Sequence, residues 1–496
     1  MAWWQAAEGA TCIGDVPEIS ELTHASGLVR PGWGFAAVPG RARDGHEFLG
    51  SVIDAGAAAC VVQADREAAW APYRGRVPLV VVPDVRVGLG YLAAAVYGRP
   101  TDRLRIVGVT GTDGKTTTAH LVAHVLDRCG LDAGYLSSVG FDRGQGFEIN
   151  AMHMTTLEAT SIQSMLADAA KSGRQTMVVE ASSEGLAQGR LNGSSVDVAV
   201  FTNLTRDHLD FHGTMERYLE AKGLLFRKLD EDGEKHFPRT AVLNADEPSS
   251  AYLRTVSHAP VITYGLREAA EFSASDVRTE GFGLRFRLSH EDSRLEASVP
   301  LIGEFNAYNS LAAVATAASQ GVALEEAVEA LSDFPGVPGR MERIDEGQPF
   351  AVFVDIASTG AAMENVLNAL RPATAGRLWV VFGAAGGRDP ARRGGLGAVV
   401  GRLADRAVIT NEDPRHEDPD AIIEAIAQGL REGGRVDGQD FVRVPDRGEA
   451  IQYAFEHASP GDTVLLAGKA TETTMIFAGG PVPWDERGVA RELLGS

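Results

Sequence analysis

Apolar runs of strand length alternate with helical patterns through the middle of the chain. The strand-like runs occupy 104–110, 176–181, 196–202 and 240–243. Nearly continuous apolar strands separated by helices are typical of a parallel sheet that is covered on both faces. The pattern therefore predicts an α/β protein.

A second series of the same kind lies nearer the C-terminus. Between the two series, apolar residues alternate with polar ones on either side of 290–293, which predicts an antiparallel hairpin, and Ala-rich helical patterns follow it. The hairpin covers Phe282 to Leu288 and Leu295 to Val299, the helices cover 306–320 and 323–332, and the second series has strands at 350–356, 378–383, 407–410 and 463–467.

Breaks in these patterns suggest the domain boundaries. The first hundred residues mix short strands and helices and end near Gly98–Pro100, while 334–340 contains two prolines and two glycines that interrupt any regular element. We predict three domains, at 1–100, 101–335 and 336–496. The segment 334–340 is a candidate hinge.

Composition narrows the function classes. The hydrophobic content of 44% is ordinary for a soluble globular protein, and a net charge of −21 argues against nucleic acid or anionic lipid as the main partner. Three scattered cysteines, Cys12, Cys60 and Cys129, do not suit a disulfide framework or a zinc site. Because the sequence contains neither a signal-peptide pattern nor an 18-residue apolar run, we expect a cytoplasmic protein with no membrane partner.

A glycine-rich stretch follows the first of these strands and opens a helical pattern. It reads Gly111, Thr112, Asp113, Gly114, Lys115, Thr116 and Thr117. Such a turn exposes backbone N–H groups at a helix N-terminus and so cradles phosphate, with the lysine on the terminal phosphates and the next threonine on Mg²⁺. Val109 stands where the usual pattern has glycine, so this is a variant loop. The strand-to-helix context favours a nucleoside triphosphate site over an ordinary glycine turn.

Polar side chains follow two further strands. Glu180 ends one of them, and Asp207, His208 and Asp210 follow another. The carboxyl edge of a parallel sheet beside a phosphate loop is well placed to hold Mg²⁺. A strand-end glutamate on its own is more often a helix cap or a surface group.

Further motifs extend this pattern along nearly the whole chain. They are Thr155-Thr156, Glu180-Ala-Ser-Ser183, Thr202 to Asp210 with His212-Gly213, Tyr218 to Lys222, Asn244-Ala-Asp246, Gly303 to Asn306 with Asn309, Gly339 to Glu342, Gly387-Arg388-Asp389 and Glu412-Asp-Pro-Arg415. Together with the phosphate loop, this set resembles the Mur ligase family, and most of all its MurE branch.

The resemblance implies an architecture and an activity. The architecture has an N-terminal UDP-sugar-binding domain, a central ATP-binding domain with a P-loop ATPase-like parallel sheet, and a Rossmann-like C-terminal domain that binds an amino acid. The activity is an ATP-dependent amide ligase that adds a diamino acid to UDP-N-acetylmuramoyl-L-alanyl-D-glutamate through an acyl phosphate, in peptidoglycan precursor synthesis. The resemblance implies ATP and Mg²⁺ as cofactors, and we expect a monomer.

The resemblance also implies roles for individual residues. Lys115, Glu180, His208 and Lys222 would be catalytic, and Thr116, Glu180, His208 and a carbamylated Lys222 would serve the metal. Besides the loop 111–117, the nucleotide contacts would be Asn306, Asn309, Arg340 and Asp355. The substrate contacts would be Ser26, Asp44, His46, Thr155, Thr156, Ser182, Gln188 and Arg190 for the UDP-sugar peptide, and Arg388, Glu412, Asp413, Arg415, Gly468 and Glu472 for the amino acid.

Several positions depart from the family pattern. Glu184, Ser358 and Thr471 stand where the family usually has histidine, and Gly27 stands where it has arginine. Serine and threonine still donate a hydrogen bond but carry no positive charge, while a glutamate reverses the sign. The dipeptide Glu412-Asp413 replaces Asp-Asn, and its extra carboxylate favours a cationic side chain. Lysine, ornithine and meso-diaminopimelate all stay open.

Three functions therefore compete. The first is an active ligase, favoured because the residues for phosphate and metal are all present. The second is a divergent paralogue that binds ATP and a UDP-sugar peptide but has lost or redirected the ligase step. The third is a ligase acting on another carboxylate, such as a folate or a poly-amino acid. Asp44, His46, Thr155 and Thr156 argue against this third function, because the resemblance places them on the UDP-sugar side.

Overall fold

A computed structural model describes residues 2–40, 43–152, 154–231 and 235–495. The chain divides into two compact units. The first unit contains Met1–Ser273, Ser289–Ser293 and Tyr308–Ala330, and the second contains Ala274–Leu288, Arg294–Ala307 and Leu331–Ser496.

The strands and helices follow one another along the chain, with short 3₁₀ turns between some of them. The strands are β1 (Thr11–Ile13), β2 (Leu22–Thr23), β3 (Gly34–Ala36), β4 (Ala59–Gln63), β5 (Leu79–Val82), β6 (Arg105–Thr110), β7 (Ala133–Leu136), β8 (Gly140–Asp142), β9 (Phe147–Ile149), β10 (Thr176–Glu180), β11 (Val198–Phe201), β12 (Thr240–Asn244), β13 (Val261–Gly265), β14 (Phe272–Glu280), β15 (Gly283–His290), β16 (Ser293–Val299), β17 (Glu342–Ile344), β18 (Ala351–Asp355), β19 (Leu378–Phe382), β20 (Arg406–Ile409), β21 (Phe441–Arg443), β22 (Thr463–Ala467), β23 (Thr474–Phe477) and β24 (Gly480–Pro483). The helices are α1 (Leu49–Asp54), α2 (Glu67–Trp70), α3 (Val85–Val96), α4 (Lys115–Arg128), α5 (Ala159–Lys171), α6 (Ser183–Ala187), α7 (Leu209–His212), α8 (Met215–Arg227), α9 (Ser250–Leu253), α10 (Phe305–Ser319), α11 (Leu324–Ala330), α12 (Gly360–Leu370), α13 (Ala391–Leu403), α14 (Pro419–Glu432), α15 (Arg447–His457) and α16 (Glu486–Gly495).

The first unit begins with a sheet in the strand order β1-β5-β4-β3-β2. Successive residues of a strand point to opposite faces. In this sheet Val61 and Val80 pack into one buried cluster, while Cys60 and Leu79 pack into another. Both faces of this small sheet are therefore covered.

The central sheet of the first unit carries the phosphate loop. Strand β6 lies between β10 and β11 and is parallel to both, β12 is parallel to β11, and β7 is parallel to β10. All six residues of β6 are buried. These strands confirm the predicted parallel sheet, and the carboxyl ends of β6, β10 and β11 share one edge, where parallel α/β sheets bind ligands.

Within this unit the backbone of helix α3 closely approaches the backbone at residues 192–193. A Cβ on Gly90 of α3 would lie 2.2 Å from the carbonyl oxygen of Asn192, and a Cβ on Gly193 would lie 2.6 Å from the carbonyl oxygen of Gly90. Residues 1–100 thus share a unit with residues 101–273. The three-domain boundaries stay a prediction.

The second unit has a sheet in the order β17-β18-β22-β19-β20-β21. All of its strands are parallel except β17, which is antiparallel to β18. The predicted strands of the second series are confirmed, as are the hairpin, formed by the neighbouring strands β15 and β16, and the two Ala-rich helices, now α10 and α11. The segment 334–340 contains neither a helix nor a strand, as predicted. Among the residues that the structure describes, no helix has the length and apolar character needed to cross a bilayer.

Candidate active site

Two glycines shape the turn between β6 and α4. Gly111 has φ of 153°, and a Cβ there would lie 1.8 Å from the hydroxyl of Thr202. Gly114 has φ of 78° and precedes the first residue of the helix, with the side-chain oxygen of Asn309 2.8 Å from where its Cβ would be. A side chain at either position would clash with these atoms, so only glycine can occupy them.

The loop is fixed by hydrogen bonds to the segment after β11. The backbone N–H groups of Thr112 and Asp113 donate to the backbone and side-chain oxygens of Asn203, each at 2.9 Å. The Thr202 hydroxyl donates to the Asp113 carbonyl at 2.7 Å. Lys115 donates from Nζ to the Thr112 carbonyl at 2.6 Å, so its ammonium group folds back over the loop. The predicted glycine turn between a strand and a helix is confirmed.

The helix that follows begins beside a buried carboxylate. Thr116 Oγ1 donates to Glu180 Oε1 at 2.9 Å and lies 2.9 Å from Ser138 Oγ. Ser138 donates to Glu180 Oε2 from its hydroxyl, at 2.7 Å, and from its backbone N–H. Glu180 is fully buried, and no lysine, arginine or histidine among the described residues forms an ion pair with it. A buried, unpaired carboxylate of this kind is favourable only where a positive charge compensates it.

Lys222 approaches the same loop from α8. It is 1% exposed, and its Nζ donates to the Gly111 carbonyl at 2.5 Å and lies 4.2 Å from the ring centre of Tyr218. Burial, and to a lesser extent the positive charge of Lys115, lowers the pKa of Lys222 to about 6. This side chain is therefore mostly a neutral amine at pH 7.

His208 is the most exposed of the four residues predicted to be catalytic. It has φ of 53°, its side chain is 46% exposed, and its Nε2 lies 3.3 Å from Asp207. Its ring meets Tyr218 edge-on at 6.0 Å between centres. Tyr218 also contacts Lys222. His208 therefore lies on the same side of the phosphate loop as Lys222.

The predicted substrate residues near Glu180 form a connected set. The Thr156 hydroxyl donates to the Glu180 carbonyl and accepts from the Ser182 N–H, both at 2.8 Å. Ser182 caps α6 by accepting from the Gly185 N–H. Arg190 donates to the Thr156 carbonyl at 2.7 Å. Thr155, which is half-buried, directly precedes this set.

Arg86 joins this set to the N-terminal sheet. Gln188 Oε1 accepts from Arg190 at 2.9 Å and from Arg86 at 3.3 Å, while Arg86 also donates to the Pro39 carbonyl at 2.9 Å. Glu158 forms an ion pair with Arg190 at 3.1 Å. Two guanidinium groups therefore flank one amide oxygen.

Asp44 and His46 form a local hydrogen-bonded unit. Asp44 Oδ1 accepts from the His46 backbone and from Nδ1, at 3.0 and 2.7 Å, and His46 Nε2 accepts from the Gln63 N–H at 3.0 Å. Both nitrogens of this buried ring are therefore used within the chain. Ser26 begins a short 3₁₀ turn, and a Cβ on its neighbour Gly27 would meet no atom within 4 Å.

The two asparagines predicted near the nucleotide belong to different units. Asn309, in the first unit, accepts from the Thr118 hydroxyl at 3.0 Å and so supports the start of α4. Asn306, in the second unit, donates to the Ile302 carbonyl at 2.8 Å.

Asp355 ends β18 in the second unit. Its two oxygens accept from the backbone N–H groups of Met341 and Ala357, each at 2.8 Å. Burial raises the pKa of Asp355, and the positive charge of Arg340 opposes that rise. The Arg340 Nε is buried and makes no hydrogen bond to any described residue.

The two acids that follow β20, Glu412 and Asp413, differ in their hydrogen bonds. Asp413 Oδ1 accepts from Lys469 Nζ at 2.8 Å and from the Ile476 N–H at 2.9 Å, and the same lysine donates to Glu472. Glu412 is 8% exposed, and its buried Oε2 has no hydrogen-bond partner in the part of the chain that the structure describes. Burial raises the pKa of Glu412 to about 7. The carboxylate with unused hydrogen-bonding capacity is therefore Glu412.

The other residues predicted to bind the incoming amino acid also follow the carboxyl ends of strands in the sheet of the second unit. A Cβ on Gly468 would lie 2.7 Å from Glu412 Oε2, so this glycine leaves room for the carboxylate. Arg415 has φ of 57°, and its Cδ is 3.7 Å from where a Cβ of Gly387 would be. Its Nε is buried and has no hydrogen-bond partner among the residues described. Arg388, which follows that glycine, is exposed.

The residues that replace the family's histidines occupy different surroundings. Ser358 is exposed. Thr471 packs against Gly339, where a Cβ would lie 2.9 Å from its methyl group. Glu184 lies in the first turn of α6, and its negative charge opposes the lowering of the pKa of His212 by burial.

Sequence reasoning missed several of these contacts. Ser138, Lys469 and Arg86 contact predicted residues that lie 22, 56 and 102 positions away along the chain. Arg447 donates to the carbonyl of Ala467, which directly precedes the predicted Gly468. Only Lys469 carried a signal, since it lies in the motif with Gly468 and Glu472.

Comparisons with known proteins show the family of this chain. The family model for the Mur ligase middle domain matches residues 109–317, and that for the Mur ligase glutamate ligase domain matches residues 339–470. The UDP-N-acetylmuramyl-tripeptide synthetase of Roseiflexus sp. (strain RS-1) is 44% identical over 96% of this chain and 95% of its own. The UDP-N-acetylmuramoyl-L-alanyl-D-glutamate–2,6-diaminopimelate ligase of Geobacillus thermodenitrificans (strain NG80-2) is 41% identical over 97% of this chain and 96% of its own. A solved structure of a ligase with the same name is 30% identical, has a TM-score of 0.69, and covers 96% of this chain and 95% of its own. The chain therefore belongs to the Mur ligase family.

Proposed function

We propose that this chain is an ATP-dependent ligase of the MurE type. It joins an amino acid to UDP-N-acetylmuramoyl-L-alanyl-D-glutamate through an acyl phosphate, in peptidoglycan precursor synthesis. The observation that carries the proposal is the pairing of Thr116 and Ser138 with the buried Glu180 at the end of the phosphate loop. Relatives with this activity in their names match nearly the full chain.

The phosphate loop would bind ATP. The N–H groups at the start of α4 and the ammonium group of Lys115 supply positive charge for the phosphates. Two anions, the terminal phosphate and the substrate carboxylate, must approach each other, and Lys115 lowers the repulsion between them.

The residues around Glu180 fit an Mg²⁺ ion. Thr116, Ser138 and Glu180 offer only oxygen, the donor that Mg²⁺ prefers, and the carboxylate lacks a basic partner. Among the described residues, no group of three or more histidine, cysteine, aspartate or glutamate side chains could hold a metal ion. The ion would therefore take further oxygens from phosphate and water. When bound, Mg²⁺ neutralises the phosphate charge.

Lys222 is suited to carbamylation. Its neutral amine can attack carbon dioxide, forming an N–C bond and releasing one proton, and the product is a carbamate anion. A lysine with an ordinary pKa would be almost entirely protonated at pH 7 and would not react in this way. The carbamate would replace a neutral amine beside the loop with an anion that can ligate a metal.

The substrate residues fall into two groups. Thr156, Ser182, Gln188 and Arg190 offer hydrogen-bond donors for the UDP-sugar peptide beside Glu180. Arg388 and Arg415 offer forked donors for the carboxylate of the incoming amino acid. Glu412 and Glu472 offer acceptors for an ammonium group.

The proposal is tested by release of phosphate from ATP in the presence of the UDP-muramoyl dipeptide. Lysine, ornithine and meso-diaminopimelate are supplied one at a time, with bicarbonate present. We expect release that depends on both the dipeptide and one amino acid, and loss of this release in Lys115→Met. Tight binding of ATP and dipeptide without turnover, for every amino acid, would instead support the divergent paralogue. We expect the active protein to be a cytoplasmic monomer.

A further inference from the structure

A buried ion pair joins two helix starts in the second unit. Arg447 is the first residue of α15 and Glu486 is the first residue of α16. Arg447 donates from Nε to Glu486 Oε2 at 2.8 Å and from Nη2 to Oε1 at 2.5 Å, and both side chains are fully buried. The indole of Trp484 also donates to Glu486 Oε2, at 2.7 Å. Such a forked pair fixes the position and the plane of the guanidinium group.

The same guanidinium group also hydrogen-bonds to two loops that carry residues predicted to bind the incoming amino acid. Nη2 donates to the carbonyl of Ala467 at 2.8 Å, and Nη1 donates to the carbonyl of Asn411 at 3.3 Å. Ala467 directly precedes Gly468, and Asn411 directly precedes Glu412. One side chain therefore ties together the carboxyl ends of β20 and β22.

Glu412 is the acid that this arrangement leaves available. Its buried Oε2 has no hydrogen-bond partner within the described ranges, whereas Asp413 accepts from Lys469. The charged groups that act on Glu412 are Arg447 and Lys469, which favour its anion, and Glu472 and Asp413, which oppose it. A buried acceptor with no partner among the described residues suits an ammonium group from outside the chain.

We propose that Arg447, held by Glu486, is a positioning residue that fixes the two loops of the amino-acid pocket and keeps Glu412 as the anion that receives the ammonium group of the incoming amino acid. The proposal rests on the proposed function and deepens it, because it assigns the ammonium contact to Glu412. In the wild type, KM for the amino acid should rise as the pH falls through about 7, the pKa of Glu412.

Three variants separate the charge of Arg447 from its geometry. Arg447→Met combined with Glu486→Met replaces the pair by apolar side chains of similar size, which buried pairs commonly tolerate. Arg447→Lys keeps a charge but loses the fork. Glu486→Gln keeps Arg447 but removes the charge that offsets it. The control is Arg406→Met, which breaks an ion pair with Asp440 at the other end of β20.

Two measurements are made on each full-length variant. The first is KM and kcat for the amino acid from pH 6 to 9, at saturating ATP and dipeptide. The second is the carboxyl ¹³C titration of Glu412 in protein labelled at glutamate, with the resonance identified by its absence in Glu412→Gln. The titration does not depend on turnover.

The variants should shift the midpoint of the Glu412 titration in different directions. The double variant should move the Glu412 midpoint up by about one pH unit and raise KM about fivefold at pH 7, with a smaller change in kcat. Glu486→Gln should move the midpoint down, and Arg447→Lys should raise KM while leaving the midpoint near that of the wild type. Arg406→Met should change neither quantity.

An unchanged Glu412 midpoint in the double variant would overturn the proposal, as would an unchanged KM in a protein that turns over. If the wild type shows no turnover that depends on an amino acid, the proposed function fails. In that case the titration alone decides whether Arg447 controls Glu412.

Discussion

Lys222 should impose a distinctive pH dependence on stability. Its pKa is about 6 in the folded chain, against an ordinary value of 10.5. Between these values the unfolded state binds one proton more than the folded state, so the free energy of unfolding rises with pH. One proton corresponds to about 1.4 kcal/mol per pH unit, so the wild type should gain about 2.5 kcal/mol between pH 7 and pH 9 from this side chain.

Lys222→Met removes this gain. We expect the variant to be more stable than the wild type at pH 7, with a difference that narrows by about 2.5 kcal/mol at pH 9. The measurement is urea denaturation at pH 7, 8 and 9 in buffer freed of carbon dioxide, so that the amine stays unmodified. Lys171→Met, at a side chain that is 77% exposed, controls for the loss of one positive charge. A wild type and a Lys222→Met variant that respond equally to pH would show that Lys222 is charged when folded, and the argument for its carbamylation would then fail.

Three further outcomes follow from other contacts. Glu180→Gln should lower kcat by about 10²-fold or more without lowering the melting temperature, because the carboxylate charge rather than its packing is lost; an active variant would contradict the proposed metal site. Gly27→Arg should lower KM for the UDP-muramoyl dipeptide, since the position is open and the arginine restores a cation; a raised KM measured in the same assay would refute this. Lys235→Ala should lower the free energy of unfolding, measured by urea titration, by about 3–5 kcal/mol, because it leaves Asp197 buried and unpaired. The double variant Lys235→Met with Asp197→Leu should recover most of that loss in the same titration. Equal stability of the single and double variants would contradict the last expectation.

The sequence predicted the inner parallel strands of the two larger sheets because those strands are nearly continuous apolar runs. The run 104–110 became β6, and the run 463–467 became β22 with the same bounds. Such runs must be buried on both faces, so their positions depend little on distant parts of the chain. The phosphate loop was predictable for a similar reason, since strand, glycines and helix are contiguous.

The contacts between distant segments could not be read from the sequence. Ser138 completes the group around Glu180 from 42 positions away. From the sequence, Asp413 is predicted to bind the incoming amino acid, and its carboxylate suits an ammonium group. In the structure it accepts a hydrogen bond from Lys469, 56 positions away. Whether such an acid is free or already paired depends on which strand ends are neighbours, and sequence spacing carries no information on that. The roles of the individual site residues stay predictions.

The central claim is that the terminal phosphate of ATP activates a carboxyl group. It is tested most directly with UDP-N-acetylmuramoyl-L-alanyl-D-glutamate labelled with ¹⁸O in its free carboxylates, incubated with ATP, Mg²⁺ and the amino acid that supports turnover. Formation of an acyl phosphate, followed by attack of the amine, leaves one carboxylate oxygen on the phosphate. The account predicts one ¹⁸O in each phosphate released, measured by mass spectrometry, with an equal amount of amide product. Released phosphate that contains no ¹⁸O would contradict it.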